Sequence, residues 1–168
     1  LAGAGLRGRG GAGFPVARKL AVALDAGGRG PLVVNATEGE PASLKDGTLV
    51  GLVPHLVLDG AQLAARSVRA REVVVAVHEG SPLPAVLERA LRERPDDAVP
   101  TRLLQVPARY LSGEASALAR AAAGGPSRPV LHDVPLAVRG PGGRPTVVLN
   151  AESVADLAFP DSDGWSVV

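Results

Sequence analysis

Residues 54–94, PHLVLDGAQLAARSVRAREVVVAVHEGSPLPAVLERALRER, contain a helix pattern, a strand pattern and a second helix pattern in succession. From Pro54 to Arg69 the apolar residues recur at helical spacing. Arg71 to His78 is the strongest strand in the sequence, because it is rich in β-branched valine. Leu83 to Arg94 is an amphipathic helix, with apolar residues opposite its arginines and glutamates. A strand between two such helices is the repeating unit of a parallel sheet.

The helix predicted over Pro54 to Arg69 has one apolar face, which we expect to be buried. This face consists of Leu56, Val57, Gly60, Leu63, Ala64 and Val68. Asp59, Gln62 and Arg66 fall on the opposite, polar face.

The same alternation of helix and strand extends in both directions along the chain. The further predicted elements are a helix over Phe14 to Asp25, a strand over Pro31 to Asn35, a strand over Thr101 to Val106, a helix over Gly113 to Ala123, a strand over Pro145 to Leu149 and a helix from Glu152 to Ala158. Gly27 and Gly28 end the first helix, and a proline- and glycine-rich connection covers Gly124 to Arg144. The pattern predicts one α/β domain whose parallel sheet is covered on both faces.

Composition excludes several function classes. The 168 residues carry a net charge of +1, which gives no bulk attraction to nucleic acid. No stretch approaches the ~20 apolar residues of a membrane helix, so direct membrane insertion is not expected. No basic and then apolar leader pattern follows Leu1, so a secretory signal is not expected in these residues.

The residues that most often bind metals are scarce. The chain has no cysteine, which excludes disulfides, thiolate zinc sites and cysteine-held iron–sulfur clusters within these residues. His55, His78 and His132 are isolated from one another in the sequence, and no metal site is predicted from them.

Glycine is concentrated near the start of the chain. Gly8-Arg9-Gly10-Gly11-Ala12-Gly13 fits the G-x-G-x-x-G pattern, in which backbone amides approach a phosphate at the start of a helix. In a chain with 21 glycines a chance match is an equal alternative. Arg7, Arg9 and Lys19 flank the loop with positive charge and favour an anion there.

A second polar loop, Asn35 to Pro41 (NATEGEP), follows a predicted buried strand. In open α/β sheets ligands bind at the carboxyl ends of the strands. Asparagine can hydrogen-bond a heterocycle and carboxylates can accept from hydroxyls, although a solvated turn would have the same composition.

Several motifs in register together resemble one family. They are LRGRGGAGFP at 6–15, Lys19, NATEGEP at 35–41, Lys45-Asp46, Tyr110 with Ser112-Gly113-Glu114, and RPTVVLNAES at 144–153. This order and spacing is similar to that of the flavoprotein subunit of respiratory complex I, a family that also occurs in NAD-linked hydrogenases and formate dehydrogenases. The resemblance implies a Rossmann-like domain that binds FMN, with NADH delivering hydride to the flavin.

Carried over by position, the resemblance implies two groups of ligand-binding residues. The FMN-binding residues would be Gly8, Arg9, Gly10, Gly11, Gly13, Lys19, Asn35, Glu38, Gly113, Glu114 and Asn150. Gly8, Arg9, Gly10 and Lys19 would hold the phosphate and the ribityl chain, while Asn35, Glu38, Gly113 and Glu114 would face the flavin. Asn150 would complete the far wall, and Phe14 and Glu40 would lie on the NAD side.

The chain also departs from the family pattern. Thr37 stands where the family has aspartate, Ala115 where it has glutamate, Leu20 and Val22 where it has aromatic residues, His132 where it has lysine, Pro135 where it has phenylalanine, and Leu149 where it has asparagine. Several of these positions belong to the NAD side. Whether NADH binding survives the changes at Val22, Ala115, His132 and Pro135 is left open.

We therefore expect residues 1–168 to be an FMN-binding oxidoreductase domain and a fragment of a longer chain. Electrons from NADH would pass through FMN to other redox subunits or domains that carry iron–sulfur clusters. The resemblance implies a cytoplasmic location, peripheral at the inner face of the cell membrane where the complex is attached there. Two alternatives stay open: a non-catalytic assembly or interaction module that retains the fold, and a nucleotide-binding domain without redox function.

Overall fold

The computed structural model describes residues 15–37, 45–131 and 133–158. In chain order the elements are α1 (Val16–Asp25), β1 (Leu32–Asn35), α2 (Lys45–Leu52), α3 (Pro54–Ser67), β2 (Val73–His78), α4 (Leu83–Arg92), β3 (Thr101–Val106), a 3₁₀ helix (Tyr110–Gly113), α5 (Ala115–Ala122), a 3₁₀ turn (Pro141–Gly143), β4 (Val147–Asn150) and α6 (Ala151–Ala158).

The four strands form one sheet in the order β3-β2-β1-β4, and every pairing is parallel. Leu32 of β1 is in register with Val73 of β2 on one side and with Val147 of β4 on the other. The chain proceeds outward from β1 to β2 to β3 and then returns to the opposite side of β1. The predicted α/β fold with a parallel, Rossmann-like sheet is confirmed.

Strands β1, β2 and β4 are buried on both faces of the sheet, because they alternate their apolar residues between two cores, whereas the edge strand β3 is partly exposed. Leu32, Val34 and Val75 pack with helices α1, α3 and α6 on one face. Val33 and Val74 pack with α5 on the other face. This explains why β1 and β2 are continuously apolar, since a strand buried on both faces has no polar side.

The largest correction concerns residues 45–52, which form helix α2 although no helix is predicted there. Its pattern is weak because two of its eight residues are glycine and only Asp46 and Val50 are buried.

The buried face of α3 also differs from the prediction. Leu63 is 49% exposed, whereas Gln62 is buried. Gln62 can be buried because its side-chain amide donates to the carbonyl of Val99 at 2.7 Å and accepts from the amide of Val99 at 3.0 Å. These two bonds satisfy the polar group inside the protein.

Element boundaries shift by small amounts elsewhere. The helix predicted from Gly113 begins at Ala115, because a 3₁₀ helix precedes it, and the last predicted strand runs from Val147 to Asn150. Strand β2 begins at Val73 and α4 ends at Arg92. Phe14, the predicted start of the first helix, lies outside the described residues.

Among the described helices, none is by itself long and apolar enough to cross a membrane. Helices α2 and α3 meet the length and composition requirement only when they are taken together across a bend of 100°.

Helices α3 and α6 touch through backbone at Gly60. A Cβ atom at this position would lie 1.6 Å from the carbonyl oxygen of Val154. Gly60→Ala should therefore lower the free energy of unfolding by roughly 3 kcal/mol, because the two helices must separate. Gly51→Ala in α2 is the matched control, because nothing lies within 4 Å of a Cβ there. The control should be neutral or stabilising by up to ~1 kcal/mol. Urea denaturation measures both, and equal losses would contradict this packing.

Candidate functional site

The sheet has a topological switch point between β1 and β4, because the chain leaves β1 toward β2 and later returns on the other side. Ligands of open α/β sheets bind at the carboxyl end of such a point. Asn35, the last residue of β1, and Asn150, the last residue of β4, are register partners there. Both are half-buried. The fold thus brings together two of the predicted FMN-binding residues.

The side chain of Asn35 ties this point to the segment before α5. Its Nδ2 donates to the carbonyl of Gly113 at 2.9 Å. Its Oδ1 accepts from the amide of Thr37 at 3.0 Å and from the Thr37 hydroxyl at 2.6 Å. The amide oxygen is therefore committed inside the protein, and one Nδ2 proton stays available to a ligand.

Gly113 is required by the same contact. A Cβ at this position would lie 2.5 Å from Oγ1 of Thr37. Next to it, the hydroxyl of Ser112 is buried and has no hydrogen-bond partner in the part of the chain that the structure describes. Ser112 and the backbone of Gly113 thus form a wall beside the end of β1.

Glu114 is the N-cap of helix α5. Its carboxylate accepts from the amides of Ser116 at 2.9 Å and Ala117 at 3.2 Å, and also from the hydroxyl of Ser116. The Ser116 hydroxyl accepts in turn from the amide of Val130 at 2.9 Å. Since a carboxylate already occupies the positive end of α5, an incoming phosphate has no place there.

Lys19, in α1, is a cation without a carboxylate partner among the described residues. Its Nζ donates to the carbonyl of Val148 at 3.1 Å, on the edge strand β4. Burial lowers the pKa of Lys19, because desolvation disfavours its charged form. A partly buried ammonium that bonds only a neutral carbonyl is stabilised when an anion binds beside it.

The first residue of α2 carries an ion-pair network that reaches α6. Lys45 Nζ lies 3.0 Å from Oδ2 of Asp46 and 2.9 Å from Oε2 of Glu152. Burial works against the charge, but the bonds to Glu152 and Asp46 outweigh it and raise the pKa of Lys45. Asp46 also accepts from the amide of Glu152 at 3.2 Å. The network ties the start of α2 to the start of α6.

A cavity of about 360 Å³ lies between α1, the start of α5 and β4. It is lined by Arg18, Lys19, Val22, Ala115, Pro135, Leu136, Ala137, Thr146 and Val148. Three of these residues stand where the sequence departs from the family pattern: Val22, Ala115 and Pro135. Val22 and Ala115 are 93 residues apart in the chain and Ala115 and Pro135 are 20 apart, but all three line this cavity. The lining is aliphatic except for Thr146 and the two cations.

A second cavity of about 360 Å³ adjoins the carboxyl ends of β1 and β2. It is lined by Ala36, Gly47, Thr48, His78, Ser81, Pro82 and Leu83. The sequence did not indicate this cavity, because four of its lining residues belong to α2 or to the turn after β2.

Other predicted site residues lie outside the described ranges. These are Gly8, Arg9, Gly10, Gly11, Gly13, Phe14, Glu38 and Glu40, and His132 lies outside them as well. Within the described ranges no group of three or more histidine, aspartate or glutamate side chains could hold a metal ion.

The bond from Asn35 to Gly113 can be tested by replacing its donor with a carboxylate oxygen, with the same added charge in the control. Asn35→Asp keeps an acceptor for Thr37 but loses Nδ2, so the free energy of unfolding should fall by ~1–3 kcal/mol without added ligand. Asn150→Asp is the control, because the Asn150 side chain bonds none of the described residues, and it should change much less. Equal effects in urea denaturation would show that the Asn35 bond does not hold the wall in place.

Comparison with known proteins gives a consistent picture. The family profile described as the Nuo51 FMN-binding domain matches residues 1–158. One NADH-quinone oxidoreductase protein of Aquifex aeolicus is 30% identical over 95% of this chain and 41% of its own length. Its counterpart in the NADH-quinone oxidoreductase of Streptomyces coelicolor is 35% identical over 91% of this chain and 37% of its own length.

A solved structure is similar as well. An NAD⁺-reducing [NiFe]-hydrogenase in its H₂-reduced state matches with a TM-score of 0.82 and 34% identity, over 94% of this chain and 28% of the hydrogenase chain. This chain therefore spans about two fifths of the length of the curated relatives. The resemblance inferred from the sequence is confirmed, and the chain belongs to the Nuo51 FMN-binding domain family.

Proposed function

We propose that this chain binds FMN at the switch point between β1 and β4 and takes part in electron transfer from NADH to iron–sulfur partners. The observation that carries the proposal is Lys19, a partly buried cation beside the edge strand β4 with no carboxylate partner among the described residues. We infer that the anion beside Lys19 is the phosphate of FMN, because the chain belongs to an FMN-binding family.

The residues around the switch point fit this cofactor. Lys19 supplies a cation for the phosphate, and polar contacts can come from the fixed Gly113 carbonyl and from the Ser112 hydroxyl, which has no partner among the described residues. Asn35 and Asn150 each offer amide hydrogens at the ends of β1 and β4. We assign the loop Gly8 to Gly13 to the phosphate and ribityl chain by its position before α1, and Glu38 to the flavin side.

When bound, FMN supplies the chemistry of accepting a hydride and releasing electrons one at a time. The side chains of this protein bind FMN and orient it. Asn35 is locked by three hydrogen bonds and keeps the wall at a set distance from the sheet. Lys19 anchors the phosphate by charge. No acid–base residue is assigned, because hydride transfer needs orientation rather than a proton relay.

A second candidate function is an FMN domain with a donor other than NADH. The aliphatic cavity beside Lys19 favours it, because Val22, Ala115 and Pro135 replace two aromatic residues and a carboxylate of the family pattern. Stacking of a base on an aromatic ring contributes ~1–3 kcal/mol, and an aliphatic wall loses most of this. Phe14 and Glu40, which we place on the NAD side, would have to supply the remaining contacts.

Partners are inferred from the relatives. The similar proteins are named as parts of quinone-linked and hydrogenase enzymes. We propose that this chain likewise passes electrons to redox subunits or domains with iron–sulfur clusters, which these cysteine-free residues cannot hold. Peripheral attachment to a membrane would then come through such partners.

The visible spectrum of the purified protein, recorded before and after anaerobic NADH addition, tests the proposal. Yellow protein bleached by NADH supports both FMN binding and NADH oxidation. Yellow protein that dithionite bleaches and NADH does not supports the second candidate. Colourless protein that cannot be reconstituted with FMN would overturn both and favour an assembly module.

Lys19→Gln should weaken FMN binding about tenfold or more, because a partly buried charge-assisted contact is lost. The affinity of the unchanged protein should fall as the pH rises through the lowered pKa of Lys19, since only the ammonium holds the phosphate. This decline should be absent from Lys19→Gln. The exposed Arg92→Gln is the control and should keep both affinity and pH profile. Titration of FMN fluorescence measures these values, and an unchanged pH profile in Lys19→Gln would remove Lys19 from the site.

Val22→Phe should strengthen NADH binding about tenfold, because it returns an aromatic surface to the cavity. FMN affinity is measured in the same variant, because Lys19 lines this cavity too, and the gain for the donor should exceed any change in FMN affinity. Calorimetric titration with ADP-ribose measures the effect on the part of the donor that does not react. If a folded, FMN-loaded Val22→Phe protein shows no gain, the cavity does not contact the donor.

A further inference from the structure

A row of arginines lies along the amino-terminal edge of the sheet, at the opposite end from Asn35 and Asn150. Arg71, Arg29 and Arg144 stand two or three residues before β2, β1 and β4, which are neighbours in the sheet. Neighbouring strands are about 4.8 Å apart, so the backbone atoms of these three arginines should lie within roughly 10–15 Å of one another. Arg66 and Arg69 join them at the end of α3. We call these five residues the arginine edge.

Backbone contacts hold the arginine edge together. The amide of Arg29 donates to the carbonyl of Val68 at 3.3 Å, and the amide of Arg71 donates to the carbonyl of Gly30 at 3.3 Å. A Cβ at Gly30 would lie 3.6 Å from Cβ of Arg144. The loops before the strands therefore interlock, and the starting points of the arginine side chains are fixed.

The charges of the arginine edge are exposed and not neutralised. All five residues are exposed, and none pairs with a carboxylate in residues 15–37, 45–131 or 133–158. By contrast, Arg89, Arg94 and Arg102 pair with carboxylates at 3.1, 2.6 and 2.7 Å. Two carboxylates lie at the same edge, Asp25 and Glu72, and Glu72 is the partner of Arg102.

Two members of the arginine edge have an unfavourable backbone. Arg29 has φ 65° and Arg69 has φ 54°, and they are the non-glycine residues with positive φ among those described. This region is unfavourable for L-residues other than glycine, because their Cβ atom comes too close to the backbone carbonyl oxygen. The chain places glycine at the adjoining left-handed positions Gly27 and Gly28. Glycine would therefore fit positions 29 and 69 with less strain than arginine does.

We propose that the arginine edge is a docking surface for a partner protein that presents clustered carboxylates. The guanidinium fork matches a carboxylate in geometry and charge. Arginines held at fixed spacing on interlocked loops suit a partner whose carboxylates are also fixed, which a fluid lipid surface does not require. The edge lies at the far end of the strands from the switch point, so a protein docked here leaves the cofactor end open. The inference does not depend on FMN binding.

The test uses binding of a fluorescein-labelled octaglutamate peptide at low ionic strength, followed by anisotropy. The edge variant is Arg29→Gly, Arg69→Gly and Arg71→Ser. Its control is Arg92→Ser, Arg128→Ser and Arg139→Ser, which removes the same charge from exposed arginines elsewhere. The edge variant should bind about tenfold more weakly or worse, and the control should change by less than about threefold.

The edge variant should also unfold at the same or higher temperature, because glycine relieves the left-handed positions, so weaker binding cannot come from unfolding. If both variants lose peptide affinity equally, the effect comes from net charge and the proposal is wrong. The proposal is also wrong if the unchanged protein does not bind the peptide. Vesicles of equal parts phosphatidylcholine and phosphatidylglycerol provide a further arm. If the edge variant loses vesicle binding but keeps peptide binding, the surface recognises lipid and the proposal is wrong.

Discussion

The parallel pairing of β1 with β4 is the constraint on which the rest of the structure depends. It sets Asn35 beside Asn150 and creates the switch point where the chain changes direction across the sheet. It also leaves β4 as an edge strand, whose Val148 carbonyl receives Lys19. With α5 on one face and α1, α3 and α6 on the other, this pairing is buried on both sides of the sheet.

Charge is distributed unevenly between the two ends of this sheet. At the carboxyl end two described charged groups are satisfied within the protein: Glu114 caps α5, and Lys45 bridges Asp46 and Glu152. Lys19 differs from these groups, because it bonds the Val148 carbonyl and no carboxylate among the described residues. It is therefore the centre of the proposed cofactor site. At the amino end the five residues of the arginine edge pair with no carboxylate among the described residues. The two ends are therefore suited to different ligands, one small and one macromolecular.

Much of the fold could be predicted because β1, β2 and β4 are continuously apolar over most of their length and the amphipathic helices have regular periods. Helix α2 could not, since its burial depends on contacts with α3, α4 and α6 rather than on its own pattern. At the site, Asn35 and Lys19 followed from their motifs, but the capping role of Glu114 depends on where α5 begins. The meeting of Val22, Ala115 and Pro135 in one cavity is a property of the tertiary structure, and in the sequence they stand out only as departures from a pattern.

The central claim is that FMN lies at the switch point. A crystal structure of the protein grown with FMN tests it most directly. We expect density for the phosphate within hydrogen-bond reach of Lys19 Nζ. The ring system should lie against Asn35, Gly113 and Asn150. FMN bound elsewhere, or a switch point that stays empty at saturating FMN, would contradict the account.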